Sequence, residues 1–236
     1  AIIQMAKIGT ELVDIAEEDI PLANMVTKIT ELQLDQSILF ERALFNASLS
    51  NQNIAGSQEH LNKLKGDISE LTQVIKKAIK DTEDFVEHAI TVIHTEEGKA
   101  EFRHVLAVLT DVEHRYDEVS LNSERIMSIT GTAGMAELAD EAFKVEELQD
   151  FLKHELIDLL DEIQKFTLDA SLKAEHDEKS GVVWIFISVF VALVSGLTLP
   201  VIISRSIIIP INNLSSRLAE IAHGDGDLTI RLSDDA

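Results

Sequence analysis

Apolar and polar residues follow each other along most of the chain with the three-and-four spacing of amphipathic helices. Before residue 182, four segments carry this pattern, over residues 1–50, 57–94, 101–129 and from 135 onward. Residues three and four apart share one face of a helix, so each segment predicts a helix with one apolar stripe. The alternation typical of strands is nearly absent, and the fold class that we expect is all-α.

The connections between these predicted helices are short and polar. Turn signals stand at residues 48–56, 94–99 and 130–134. Helices joined by short turns are antiparallel neighbours in bundles. Residues 1–181 therefore predict an up-down-up-down four-helix bundle.

Residues 182–203 differ from the rest because they carry no charge and show no polar face. A helix of about 22 residues covers the roughly 30 Å of hydrocarbon in a bilayer, so this segment predicts a transmembrane helix. The alternative is a core helix of a large soluble protein, but the remaining chain is too short to surround one. Three arginines follow the segment and acidic residues precede it. Positive charge favours the cytoplasmic side, which predicts that residues 1–181 lie outside and residues 204–236 lie inside.

The three prolines mark expected irregularities in the helices. Pro21 interrupts the first helix, which we expect to kink or restart there with Asp19 as its N-cap. Pro200 falls in the last turns of the apolar segment and predicts a kink. Pro210 stands at a position that tolerates a missing N–H, at the start of another helix.

The formal net charge of −22 is unevenly placed along the chain. Of the 42 acidic residues 37 precede Val182, together with 17 of the 20 basic residues. A region this acidic repels nucleic acid, which excludes a nucleic-acid-binding function. There is no cysteine, and therefore neither a disulfide framework nor thiol chemistry. The apolar start of the chain resembles the end of a helix, and we expect a further transmembrane segment upstream.

No catalytic pattern stands out in the sequence. We find no phosphate-binding loop, no nucleophile elbow and no zinc-protease helix, and the eight histidines are dispersed. His88 and His94 are six residues apart, which does not place them on one helix face as metal ligands. We expect no enzyme activity, no cofactor and no metal site.

The last 30 or so residues carry a compact motif. Four apolar residues with 3–4–3 spacing form a short coiled-coil seam, and they are Ile211, Leu214, Leu218 and Ile221. Pro210 begins this predicted helix, and Gly224 ends it where a left-handed residue is needed. Leu228 and Leu232 follow in an extended segment. The alternative is an amphipathic helix beside the membrane with a disordered acidic tail.

This motif, Ile-Pro-Ile-x-x-Leu followed by Ile-Ala-x-Gly-Asp-Gly-Asp-Leu-Thr, resembles the HAMP domain of bacterial receptors. The resemblance implies that Pro210 opens the first HAMP helix and that Gly224 is the connector glycine. It also implies that Leu228 and Leu232 dock the connector onto the bundle. Residues 204–236 would then be the N-terminal part of a HAMP domain, whose second helix lies beyond them.

The order of segments resembles that of a methyl-accepting chemotaxis receptor. The resemblance implies a transmembrane homodimer in contact with membrane lipid. Its place would be the bacterial inner membrane, with residues 1–181 periplasmic or extracellular and residues 204–236 cytoplasmic. The resemblance also implies that a small molecule or a binding protein binds outside, and that a chemotaxis kinase and its coupling protein bind through a cytoplasmic region. Two alternatives stay open: the sensor part of a histidine kinase or cyclic-di-nucleotide enzyme, and a membrane-anchored coiled coil that senses nothing.

Polar residues at stripe positions give the only indication of a binding site. Gln36, Tyr116 and Gln149 lie at similar distances from the predicted turns, on three different helices, with Arg42 and Arg115 nearby. Buried polar groups cost stability unless they are paired or serve specificity. The layer predicts either a site for a small polar ligand or a hydrogen-bonded layer that fixes the register of the helices.

Overall fold

The computed structural model describes residues 2–130 and 135–222, with side chains over 8–130 and 138–219. Within these ranges the chain is helical and has no strand, so the all-α prediction is confirmed. The α-helices are α1 (Ile2–Asp14), α2 (Ile20–Asn51), α3 (Ser57–Val92), α4 (Glu96–Ile129), α5 (Met135–Ile203) and α6 (Ile209–Ala222).

Helices α2 to α5 bury one stripe each in a shared apolar core. On α4 every stripe position that the 3–4 spacing predicts is buried, from Phe102 to Ile126. On α5 the buried stripe runs from Leu138 to Phe166, with Ala142 half-buried within it. Each large aliphatic side chain buried in this way contributes about 1.5–3 kcal/mol. The stripes therefore supply the main force that holds these four helices together.

The stripe of α2 differs from the predicted one because a straight 3–4 count drifts on a helix of 3.6 residues per turn. Val26 and Phe40 are buried, while their neighbours Met25 and Leu39 are half-buried. Asn46 is half-buried on α2, and its Nδ2 donates to its own helix at the carbonyl oxygen of Arg42, 2.9 Å away.

The turns between helices follow from local chemistry. The α2–α3 turn places Gly56 at φ 83°, a left-handed conformation that glycine adopts without strain. Helix α4 begins at Glu96 and not near Glu101, because the hydroxyl of Thr95 accepts from the Gly98 N–H at 3.1 Å and caps the first turn. A Cβ at Gly98 would lie 2.9 Å from the Thr95 hydroxyl, so this cap needs glycine there.

Two π-helical turns, Ile15–Asp19 and Ser204–Ile208, each precede a proline by two residues. The prolines are Pro21 in α2 and Pro210 in α6. Proline removes an N–H and its ring crowds the carbonyl of the previous turn. The wider π-turn lets the last free N–H reach back five residues, from Ile20 to the carbonyl of Ile15 and likewise in the second turn.

The π-turn changes the role predicted for Asp19. Its backbone is helical, at φ −66° and ψ −48°, and its side chain makes no capping hydrogen bond. The helical path passes through this residue, so there is no helix start for Asp19 to cap. Its side chain is instead buried.

Residues 182–203 lie within α5, which continues past Pro200. Among the described residues one helix is long and apolar enough to cross a membrane, and its most apolar 18-residue window has a mean hydropathy of 2.5 with none of it buried. Apolar side chains such as Phe186 and Phe190 are about 70% exposed. Single exposed apolar residues are normal on soluble proteins, but a continuous surface of this kind marks an interaction with membrane or protein.

The structure reaches only part of the predicted HAMP motif. Pro210 is the second residue of α6, close to the predicted helix start. Gly224, Leu228 and Leu232 lie outside the described residues.

Candidate ligand-binding region

Gln36 and Tyr116, two residues of the predicted polar layer, are in direct contact in the core. The Tyr116 hydroxyl donates to Gln36 Oε1 at 3.0 Å, and Gln36 Nε2 donates to the hydroxyl of Thr72 at 2.7 Å. Thr72 in turn donates to the carbonyl of Ile68, 2.8 Å away on its own helix. A buried chain of hydrogen bonds therefore joins α4, α2 and α3.

The hydrogen-bond network of Tyr116, Gln36 and Thr72 is uncharged at neutral pH. Burial raises the pKa of Tyr116 to about 12, although hydrogen bonds with Thr72 and Gln36 act in the opposite direction. The phenol therefore stays protonated at neutral pH and remains a donor. Because each helix contributes one member, sliding any helix by a turn would break the chain. The contacts support the interpretation that the layer fixes register, and a ligand entering it would have to displace these bonds.

Gln149, the third residue of the predicted polar layer, makes its contact with α2 through its backbone carbonyl. Its carbonyl oxygen lies 3.3 Å from Nε2 of Gln33, which also donates to the Ser37 hydroxyl at 3.3 Å. Gln33 is 2% exposed, and its Oε1 has no hydrogen-bond partner in the described part of the chain. A buried acceptor without a partner is costly, so this is the least satisfied point of the layer.

Arg115 lies at the surface beside the layer, between α4 and α5. Its Nε is 2.7 Å from Asp111 Oδ2 and 3.1 Å from Glu155 Oε2. Its guanidinium also lies over the ring of Phe151, with Cζ 4.3 Å from the centroid. These groups balance the positive charge of Arg115, so the side chain does not offer an unpaired cation to an anionic ligand.

The two carboxyl groups around Arg115 respond differently to it. The hydrogen bond from Arg115 holds the pKa of Asp111 below its ordinary value. Burial raises the pKa of Glu155, and the neighbouring Asp111 raises it further, while the charge of Arg115 lowers it. Ionised Asp111 is therefore the stronger partner of Arg115.

A groove of about 290 Å³ lies next to this cluster on the surface of α4 and α5. Val108, Phe151 and Leu159 supply its apolar part, and the charged lining includes Asp158 and Glu162. An apolar floor with acidic groups at its edge suits a small molecule that donates hydrogen bonds or carries positive charge. Glu162 is already engaged, since its Oε1 lies 3.3 Å from His104 Nε2.

Arg42 does not join the layer. It is exposed on α2, and in the described part of the chain no hydrogen bond or ion pair connects it with Gln36 or Tyr116. The structure thus brings two of the five predicted residues into side-chain contact, and adds Gln149 through its backbone and Arg115 at the adjoining surface.

Thr72 and Gln33 are the partners that the sequence analysis missed. Thr72 directly follows Leu71 on α3. A strict 3–4 spacing puts Leu71 on the buried stripe, whereas the true helical period of 3.6 residues puts Thr72 there. Gln33 follows Leu32 in the same way. Over the residues that the structure describes, no group of three or more histidine or acidic side chains is placed to hold a metal ion.

Comparison of the chain with models of protein families, with curated proteins and with solved structures gives no significant match.

The hydrogen bond between Tyr116 and Gln36 predicts an energetic coupling of the two side chains. We expect Tyr116→Phe to lower the free energy of unfolding by about 1–3 kcal/mol, since Gln36 Oε1 loses its donor in the core. In a Gln36→Leu background the same substitution should cost clearly less, because no acceptor is left without a partner. Denaturation of all four proteins of this cycle measures the coupling, and equal costs of Tyr116→Phe in both backgrounds would contradict it.

Proposed function

We propose that the chain is the sensing part of a transmembrane receptor of the chemoreceptor type. The observation that carries this proposal is the make-up of α5. One uninterrupted helix holds both the stripe from Leu138 to Phe166 that is buried in the core and the uncharged residues 182–203. A helical path of this kind is what a receptor needs to carry a change of packing from one side of a bilayer to the other.

The proposed topology of the sensor region is an up-down-up-down bundle, and contacts between helices support it. Going forward along α1 and α2, the contacting partners lie progressively further back in the chain, from the α3–α4 turn to the start of α3. The pairs are Asp14 with His94, Gln36 with Thr72, and Ser50 with Gln58. Such a sequence of pairs is that of two antiparallel helices joined by a short turn.

Helices α4 and α5 give the same pattern. Their cross-helix ion pairs are Glu97 with Lys173, Arg115 with Glu155, and Arg125 with Glu141. The numbers again rise on one helix and fall on the other, which supports an antiparallel pair.

The signal would be a change in the packing of α5. The groove beside Arg115 is lined by α5 residues, so an occupant would contact this helix directly. Shifts of about 1–2 Å along a helix are typical of transitions at packed interfaces. A ligand shifts the equilibrium only by its difference in affinity for the two arrangements. The proposed signal then passes to α6, the first HAMP helix, and on to a kinase and coupling protein.

The receptor would act as a homodimer, and an exposed apolar stripe on α2 supports this. Ile20, Leu34, Ile38 and Phe45 are 39–63% exposed. Their spacings of 14, 4 and 7 residues place them on one face of the helix. A second copy of the same helix would cover these apolar side chains symmetrically.

The proposed orientation predicts that residues before and after the segment 182–203 can be labelled from opposite sides of the bacterial inner membrane. The chain has no cysteine, so single substitutions give unambiguous labels. In spheroplasts, a membrane-impermeant maleimide should label Ser69→Cys, which is exposed on α3. Ser215→Cys, exposed on α6, should react only after permeabilisation. Equal labelling of both in intact spheroplasts would contradict the proposal.

The proposed dimer contact predicts that Ile38→Cys forms a disulfide-linked dimer on mild oxidation of membranes. Residues near a two-fold axis face their own copies, so one cysteine suffices. Ser69→Cys is the matched control and should remain monomeric. The readout is non-reducing electrophoresis, and equal cross-linking of the two variants would argue against α2 as the contact.

Sensing predicts that some small molecule raises the thermal unfolding midpoint of the chain in detergent, because a ligand that binds the folded state stabilises it. If the groove is the site, Asp158→Asn, which neutralises an acid of its lining, should reduce the shift. Asp161→Asn, an exposed acid of the same helix outside the lining, should leave it unchanged. A shift that survives Asp158→Asn argues against the groove as the site. No shift from any candidate, alone or with a binding protein, would favour the non-sensing coiled coil.

A further inference from the structure

A cavity of about 100 Å³ lies against the π-turn Ile15–Asp19, away from the groove beside Arg115. Its walls come from α1, the π-turn, the α3–α4 turn, α4 and α5. Apolar side chains, among them Phe102 and Phe166, form one part of the lining. The other part holds six carboxylic acids, which are Glu11, Asp14, Asp19, Glu97, Glu101 and Asp169.

Asp19 is the most enclosed carboxyl group of this set. It is 6% exposed. Burial raises the pKa of Asp19 to about 7 against the opposing effect of Thr167 on α5, and the charge of Glu101 is the next largest cause. Asp14 and Glu18, both within one helical turn or so, act in the same direction.

Glu101 on α4 is affected in the same way. Burial raises its pKa most, Glu97 and Asp169 raise it further, and Lys173 lowers it. Glu162, one helical turn before Phe166 on α5, also raises it. The charge of Glu101 on α4 makes ionisation of Asp19 on the π-turn less favourable.

Among the described residues, few basic side chains lie beside these carboxylates. Lys173 lines the cavity and pairs with Glu97. The ring of His94, in the α3–α4 turn, is 2.8 Å from Asp14 at the end of α1. On the other side of the π-turn, burial raises the pKa of Glu18 while the charge of His88 lowers it. These pairs leave Asp19 and Glu101 facing an excess of negative charge.

We propose that this cavity is a proton-binding site that couples pH to the packing of the π-turn against α4 and α5. With a proton on Asp19, the side chain is neutral and can stay buried beside the apolar part of the lining. When the proton leaves, two carboxylates on different helices face each other across the cavity. Their repulsion and the need to hydrate Asp19 then favour opening of the π-turn segment.

The sign of the pH dependence follows from linkage. In an opened state Asp19 regains an ordinary pKa, so between about 3.8 and about 7 the closed state binds the proton and the opened state does not. The stability of the closed state therefore falls as pH rises through this window. It is greatest at the acidic end and levels off above about pH 7. This inference concerns protons and does not depend on the proposed receptor function.

Hydrogen exchange followed by mass spectrometry tests the proposal on the full 236-residue chain in detergent. The measurement is the protection factor of peptides covering the π-turn, corrected for the intrinsic pH dependence of exchange. We expect protection to fall at least tenfold from pH 5 to pH 8, since one pKa unit corresponds to a tenfold change in an equilibrium. Asp19→Asn should remove this fall, because the amide cannot ionise.

Two further variants separate the cavity from general effects of charge. Asp35→Asn removes an exposed carboxylate from the same helix as Pro21, and it should retain the full pH dependence. Glu101→Gln keeps Asp19 but removes its main charged neighbour, and it should move the transition to lower pH. This variant decides the question if Asp19→Asn does not fold. A protection factor independent of pH in the wild type overturns the proposal. So does a full pH dependence in Asp19→Asn, or a Glu101→Gln transition at the wild-type pH.

Discussion

Backbone hydrogen bonding within α5 is the constraint on which the rest of the structure depends. This helix buries a single stripe in its first part and is apolar on every side over residues 182–203. A helix satisfies its own N–H and C=O groups along its length, so it needs no change of backbone conformation where its surroundings change. Only the side chains have to differ, and the sequence changes them completely within a few residues of Gly181.

Polar groups are divided between two very different settings in the core. The chain from Tyr116 through Gln36 to Thr72 is neutral, closely spaced and hydrogen-bonded at each step. The acids around Asp19 are ionisable, come from three helices and a π-turn, and lie next to a cavity. A satisfied neutral network makes a core specific at little cost, while crowded carboxylates make it dependent on solution conditions. The same helices thus carry a part that resists change and a part that responds to it.

Much of this architecture was predictable from spacing alone. The stripes of α4 and α5 are where a 3–4 count places them. Gln36 and Tyr116 were found because they interrupt apolar stripes. Thr72 was missed because the stripe of α3 drifts by one position, which depends on helix geometry over many turns. The role of Asp19 was not predictable, since it depends on residues of α4 and α5 that only the folded chain brings near.

The paired π-turns have a consequence for counting along the chain. A π-turn holds about one more residue than an α-turn, and each α-helical residue turns the helix by about 100°. Side chains after Ser204–Ile208 are therefore out of phase with those before it. The heptad of α6, with Ile211, Leu214 and Leu218 on its seam, cannot be extended backward into α5 by adding sevens. A heptad assignment continued without a break from α5 through the π-turn into α6 would therefore place the wrong residues on the seam of one of the two helices.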